Sequence, residues 1–194
     1  VKLVVGISGA SGAPYAKRLL GWFRANPGHH VEVVLSRTAE QVFRHECGDG
    51  PADQGFQVHE GRDYSAAFAS GSARFEAMVV IPASMSAIAR IAHGISDDLL
   101  TRAADVMLKE RRRLVLVPRE SPYSAVHLQN MLEVTRAGAV VIPASPSFYG
   151  RPETLEQAID TVLARVLDHL GIESRLARRW GTDVNLEDTN SSST

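Results

Sequence analysis

Gly6, Gly9 and Gly12 alternate with Ser8 and Ser11 in the run GISGASG, directly after an apolar stretch. Small residues at this spacing let a backbone approach a ligand closely. The free amides at the start of a following helix attract a phosphate or a cofactor carbonyl. The same turn also serves as a plain strand-to-helix connection in any α/β protein. It makes a poor dinucleotide fingerprint, because the acidic residue expected roughly twenty positions later is not evident. Ser36, after a second apolar stretch, offers a hydroxyl suited to phosphate. Pro82-Ala83-Ser84-Met85-Ser86 is a second turn of this kind, where two hydroxyls meet a helix start. Ser84 fits simple helix capping equally well. Arg119 and Glu120 directly follow a strand-like run, a placement suited to a site and equally to a local ion pair. The seven histidines show no tight metal-ligand spacing, so no metal is expected. Cys47, the single cysteine, has no identified histidine partner and reads as passive.

These turns need elements to hold them. Val1 to Val5 is a short β-branched and apolar run closed by the turn at 6–12, and Pro14 suits the first turn of a helix over Tyr15–Arg24. Val31–Leu35 predicts a second buried strand and Thr38–His45 a second helix. Glycines and a proline break 48–64 into an irregular excursion. Met78–Ile81 predicts a strand stopped by Pro82, followed by helices over Ser84–Ile91 and Leu99–Glu110. Leu114–Val117 predicts a strand ending at Pro118, Ser124–Thr135 a helix, and Ala139–Ile142 a strand ending at Pro143. Pro152–Leu170 is the clearest helix, with Leu155, Ile159, Val162, Val166 and Leu170 on its apolar side and Gly171 at its end.

Short apolar strands alternating with amphipathic helices predict a three-layer α/β fold. Its sheet is open, mostly parallel and Rossmann-like, with helices on both faces. Such sheets bind ligands beyond the carboxyl ends of their strands. The turns at 6–12, 36–38, 82–86, 118–123 and 143–151 all follow predicted strands. One domain over 1–181 is expected, with a polar tail, TDVNLEDTNSSST, over 182–194.

The 194 residues suffice for one domain with a real core. With 21 basic and 22 acidic side chains, the net charge of -1 gives no bulk reason to expect a nucleic-acid partner. One cysteine excludes a disulfide framework. No apolar run approaches the roughly 18 residues that span a bilayer. The first residues, VKLVVGISGASG, lack the features of a secretory leader, so a cytoplasmic location is expected.

The second half carries longer ordered signals. The run TRAADVMLKERRRLVLVPRESP over 101–122 resembles the signature of the flavin prenyltransferases, flavoproteins associated with ubiquinone biosynthesis and aromatic acid decarboxylation. The resemblance spans roughly 3–172 and includes SGASGA at 8–13, Ser36, Glu46, ASGS at 69–72, HLQNML at 127–132, Phe148-Tyr149 and RVLDHLG at 165–171. Ala177-Arg178-Arg179-Trp180 resembles the branch that accompanies phenolic acid decarboxylases.

The resemblance implies a homododecamer with flavin held between subunits. Dimethylallyl phosphate or diphosphate would donate an isoprenyl group to N5 and then C6 of reduced flavin mononucleotide (FMN), without a metal. A partner decarboxylase would receive the prenylated FMN. Gly9, Ala10, Ser11, Ser36, Ser84, Ser86 and Arg102 would hold the flavin or its phosphate. Lys109, Arg119, Tyr149 and Arg165 would surround the isoprenyl phosphate, and Glu46 and Glu120 would manage charge and protons. A phosphate leaving group needs fixed donors aimed where negative charge grows, and cationic side chains can supply them. Taken by themselves, Arg102, Lys109, Arg165 and Glu46 read as surface residues. Tyr149 reads as a loop cap, His127 as a packing residue, and Arg111–Arg113 as a solvated helix end or subunit contact.

The chain departs from the family pattern at several positions. Pro82-Ala83-Ser84-Met85-Ser86-Ala87 stands where Pro-Cys-Ser-Met-Lys-Thr is usual, which removes a cation and a hydroxyl. Ala73 stands where an aromatic residue is frequent, Tyr123 replaces a common leucine, and Ala144-Ser145-Pro146-Ser147 replaces a more proline-rich segment. Two alternatives follow. One is a catalytically altered FMN-binding or partner-stabilising protein. The other is a flavin-dependent cysteine decarboxylase, although the asparagine of its Pro-Ala-Ser-Ala-Asn-Thr motif is absent and no match to its histidine segment is seen near 59–68.

Overall fold

Among the described residues, six strands, all parallel, form one sheet in the order β3-β2-β1-β4-β5-β6. The strands are β1 (Lys2–Ile7), β2 (His30–Leu35), β3 (Gln57–His59), β4 (Ala77–Ala83), β5 (Arg113–Pro118) and β6 (Val140–Val141). The helices are α1 (Ala13–Ala25), α2 (Ala39–Cys47), α3 (Met85–Ala92), α4 (Leu99–Lys109), α5 (Ala125–Arg136) and α6 (Leu155–Leu170). This computed structural model describes residues 1–184. Most of the expected tail, 185–194, lies outside the described residues.

Both faces of the sheet are covered, which is why its central strands carry nearly continuous apolar runs. Along β1, Leu3, Val5 and Ile7 point to a core shared with α1, α2 and α6. Val4 points to the other core, built with α3 and α4. The alternation follows from the two-residue period of a strand. Gly6, expected in the turn, instead belongs to β1. A Cβ there would come within 3.1 Å of Met78 and 3.4 Å of Leu100, so its bareness makes room for the second core.

Three other boundaries differ from expectation. β3 lies inside the stretch expected to be irregular and pairs Gln57–His59 with Glu32–Val34. Three residues containing one aliphatic side chain give no periodic signal. A polar contact supports the strand instead: His59 is buried between Glu32 and Asp63 at 2.9 and 3.2 Å. β4 runs through Pro82 to Ala83, with its pairing to β5 irregular between Val80 and Ala83. A proline is tolerated there because the ladder has already slipped. α6 begins at Leu155 rather than Pro152, since Thr154 accepts the Gln157 amide at 3.2 Å and sets the cap.

α1 and α6 are also joined by charge. Arg18 donates to both oxygens of Asp160 at 2.8 and 2.7 Å, and the Asp160 carboxylate is buried. Arg18→Leu leaves that carboxylate without its partner. The expected loss is about 2–3 kcal/mol of stability, read as a lower urea midpoint, with Asp160→Asn in the same background recovering part of it. Among the described residues no helix is long and apolar enough to cross a membrane.

Candidate functional site

The chain runs from β1 outward to β3, then returns to β4 on the other side of β1 and continues to β6. The topological switch point therefore lies between the carboxyl ends of β1 and β4, where open α/β sheets bind ligands. Two loops meet there, residues 8–12 and the Pro82–Ser84 turn. Ser8, buried, stitches them together. Its hydroxyl donates to Pro82 O at 2.7 Å and accepts from the Ser84 amide at 2.7 Å, while its own amide donates to Pro82 O at 3.2 Å. The sequence marks Ser8 only as part of a small-residue turn. A serine directly after a buried strand is the one available signal of this stitch.

Glu46, at the end of α2, reaches the start of α1. It accepts the amides of Gly12 and Ala13, each at 2.8 Å. Burial alone pushes the Glu46 carboxyl up, but the Ser11 hydroxyl, those two amides and the Arg119 charge hold it below the ordinary glutamate range. This changes one expectation from the sequence, since the first helical amides already hold a carboxylate and are not free for a ligand. The amides of Gly9, Ala10 and Ser11 have no protein acceptor among the described residues. They form the open part of the turn, and they suit an anion.

Gly9 and Gly12 are required for separate reasons. A Cβ on Gly9 would collide with the Thr38 hydroxyl, 2.0 Å away, so the bare residue lets the turn after β2 close onto the turn after β1. That brings in Ser36, whose amide donates to Ile7 O at 2.9 Å. Gly12 has φ 115, a conformation that disfavours side chains. Across the crevice, Arg119 donates from Nε to Ser11 O at 2.9 Å, and Glu120 accepts the Ser121 amide at 3.0 Å. Tyr15 lies alongside, its hydroxyl 3.4 Å from Ala144 O and its ionisation pushed up by burial. Ser84 caps α3 by accepting the Ala87 amide at 3.2 Å, and Ser86 is exposed two residues further on. Ser124 caps α5 in the same manner by accepting the His127 amide at 3.2 Å, and His127 Nδ1 takes the Ser124 amide in return at 3.2 Å. Cys47 is partly buried, and burial pushes its thiol up.

The arrangement joins an anion-ready backbone turn, an ionised carboxylate and an arginine at one sheet edge. Comparison with known proteins gives this arrangement its family. The Flavoprotein family model matches residues 1–169. A probable UbiX-like flavin prenyltransferase of Streptomyces sp. (strain D7) is 46% identical over 183 residues, covering 93% of this chain and 92% of the relative. This chain belongs to the flavin prenyltransferase family. Two solved structures superpose with a TM-score of 0.88. The first, a dodecameric FMN-dependent UbiX-like decarboxylase from Escherichia coli O157:H7, is 44% identical over 93% of this chain and 99% of that one. The second, AnUbiX (PadA1) in complex with FMN and dimethylallyl pyrophosphate, is 42% identical over 92% of this chain and 96% of that one.

Within this flavin prenyltransferase fold, one chain brings together only part of the residue set. Gly9, Ala10, Ser11, Ser36, Glu46, Ser84, Arg119 and Glu120 share the carboxyl edge of the sheet. Arg102 and Lys109 do not join them. They lie with Asp105 along the side of α4 turned away from the core, where Arg102 donates to Ala69 O at 3.1 Å and to Asp105 at 3.0 Å. Lys109 pairs with Glu110 just before β5 begins, at the far edge of the sheet, and α4 itself runs ~15 Å. Arg112 and Arg113 tie that far edge to Gly71 O and Leu170 O. Arg165, on α6, pairs with Asp168 at 2.8 Å, and Tyr149 meets Trp180 edge-on at 5.6 Å between ring centres.

Proposed function

We propose that this protein transfers a dimethylallyl group from dimethylallyl phosphate or diphosphate to reduced FMN, joining it to N5 and C6, and that a decarboxylase uses the product. The observation that carries this reading is the Ser11–Glu46–Arg119 cluster at the switch point of a chain belonging to this family. The open amides of Gly9, Ala10 and Ser11, with the Ser36 hydroxyl, fit the FMN phosphate or a flavin carbonyl. Ser84 and Ser86 border the same crevice. Reduced FMN supplies the nucleophilic ring atoms when bound. Arg119 and, brought by a second copy of the chain, Tyr149 and Arg165 supply donors to a departing phosphate, where fixed charge acts most strongly. Glu46 is ionised at neutral pH and so accepts a proton or faces developing positive charge. Glu120 is the second carboxylate available for that work.

The outward stripe of Arg102 and Lys109 supports a site completed by a second copy. α5 supports assembly as well, because Val126, Leu128 and Leu132 are exposed along it. Closed homo-oligomers bury such faces, and a dodecamer is the assembly proposed here.

Anaerobic incubation with reduced FMN and dimethylallyl phosphate, followed by mass measurement of the extracted flavin, tests the reading. The expected result is a gain of one five-carbon prenyl unit. Bound but unmodified flavin with both the phosphate and the diphosphate would sink it and leave a flavin-binding protein. The changes at Ala73, Ser86 and Ala87 favour that second reading. Ala87, however, is fully buried and packed in the second core, so that change alters core packing.

A further inference from the structure

The chain beyond α6 turns back along that helix, and Asp168 holds it there. Arg179 donates to both carboxylate oxygens, at 2.8 and 3.1 Å, and also reaches Ser174 O at 3.3 Å. Arg165 donates to the same carboxylate once, at 2.8 Å. A tight turn follows: the Arg179 amide donates to Asp183 Oδ2 at 2.8 Å and Arg178 donates to Asp183 O at 2.6 Å. That turn sets Trp180 edge-on against Tyr149. Trp180 stays 55% exposed, so core packing does not explain its position.

The two arginines hold Asp168 unequally. Arg179 makes a two-bond fork, which satisfies both oxygens by itself. Arg165 contributes a single bond, and 58% of its side chain is exposed. An arriving phosphate therefore takes Arg165 at the cost of one bond of three and leaves the Arg179 fork intact. The aromatic pair beyond it offers apolar surface for a short hydrocarbon chain.

We propose that Asp168 and Arg179 are positioning residues for the donor site: they hold residues 177–184 so that Trp180 walls Tyr149, and Asp168 keeps Arg165 extended until a donor phosphate takes it. This inference rests on the reading above that Tyr149 and Arg165 meet the donor phosphate. The chain has only two tryptophans, Trp22 and Trp180, so Trp22→Phe leaves Trp180 as a single fluorescent reporter in the full protein. Titration of that protein with dimethylallyl phosphate is expected to change Trp180 emission and reduce its quenching by acrylamide. Arg179→Met is expected to abolish that response and raise the donor KM about tenfold, with kcat within about twofold and flavin binding retained. Arg179→Lys, which keeps the charge without the fork, is expected to lie between the two. Unchanged KM and an unchanged Trp180 response in both Arg179 variants, with a raised KM in Arg165→Met, would overturn the positioning role alone. An unchanged donor KM in Arg165→Met would overturn the donor-site reading and this inference with it.

Discussion

Glu46→Gln is expected to lower the rate of flavin prenylation by at least about 10²-fold while leaving FMN affinity within about threefold. The isosteric amide still offers one oxygen to the Gly12 and Ala13 amides, so the turn after β1 keeps its course. Only the charge is lost, along with the ability to accept a proton. A merely structural Glu46 would give the opposite pattern, with weaker flavin binding and a nearly normal rate for the flavin that remains bound. Single-turnover kinetics with pre-bound reduced FMN separates the two.

The pH profile gives a second check on the same residue. Burial raises the Glu46 carboxyl, yet the Ser11 hydroxyl, the two amides and Arg119 outweigh it and leave the group below its ordinary range. A carboxylate depressed in the folded state is fully charged at and above its usual value. Its contribution is lost only as pH falls through the lower, folded value. The acid limb of the prenylation rate is therefore expected below the ordinary glutamate range. Ser11→Ala removes the strongest of the lowering contacts, so the limb is expected to move upward. A limb that stays in place in Ser11→Ala would show that Glu46 does not set it.

Much of this site was legible in the sequence because it follows from chain topology. A small-residue turn after the first strand, Ser36 after the second, and Ser84, Arg119 and Glu120 after later strands must share one edge once all strands are parallel. Periodicity also located the helices, with α6 displaced by three residues because Thr154 was a better cap than Pro152. Contacts between distant segments left no comparable trace. Glu46 reads as a helix-end surface carboxylate until α2 packs beside α1 and carries it onto the Gly12 and Ala13 amides. β3 rests on a single histidine between two carboxylates rather than on an apolar pattern. Trp180 lies 31 positions from Tyr149, in a segment whose path depends on Arg179 finding Asp168.

Lys109→Met and Glu46→Gln are each expected to be nearly inactive alone, yet to restore activity when mixed as subunits. The fold places Glu46 with Ser11 and Arg119 at the carboxyl edge of the sheet, whereas Lys109 ends α4 at the opposite edge. Arg102 shares the Lys109 stripe, directed away from the chain's own core. Lys109 so placed cannot serve the same chain's crevice without taking α4 apart, but it can serve a neighbour's. In the proposed role of Lys109, its loss removes a cation from a departing phosphate and costs about 10²–10³ in rate, so either variant alone starts from a low baseline. If each site takes Glu46 from one copy and Lys109 from the next, random mixing in equal amounts leaves about a quarter of the sites intact. Denaturing and reassembling the two variants together is then expected to recover about that fraction of wild-type turnover. If both residues worked in one chain's site, no mixed assembly would contain an intact site, and activity would remain the average of the two variants. The same experiment with Arg119→Met in place of Lys109→Met supplies the control. Arg119 and Glu46 belong to one chain's crevice, so that pair is expected to show no recovery.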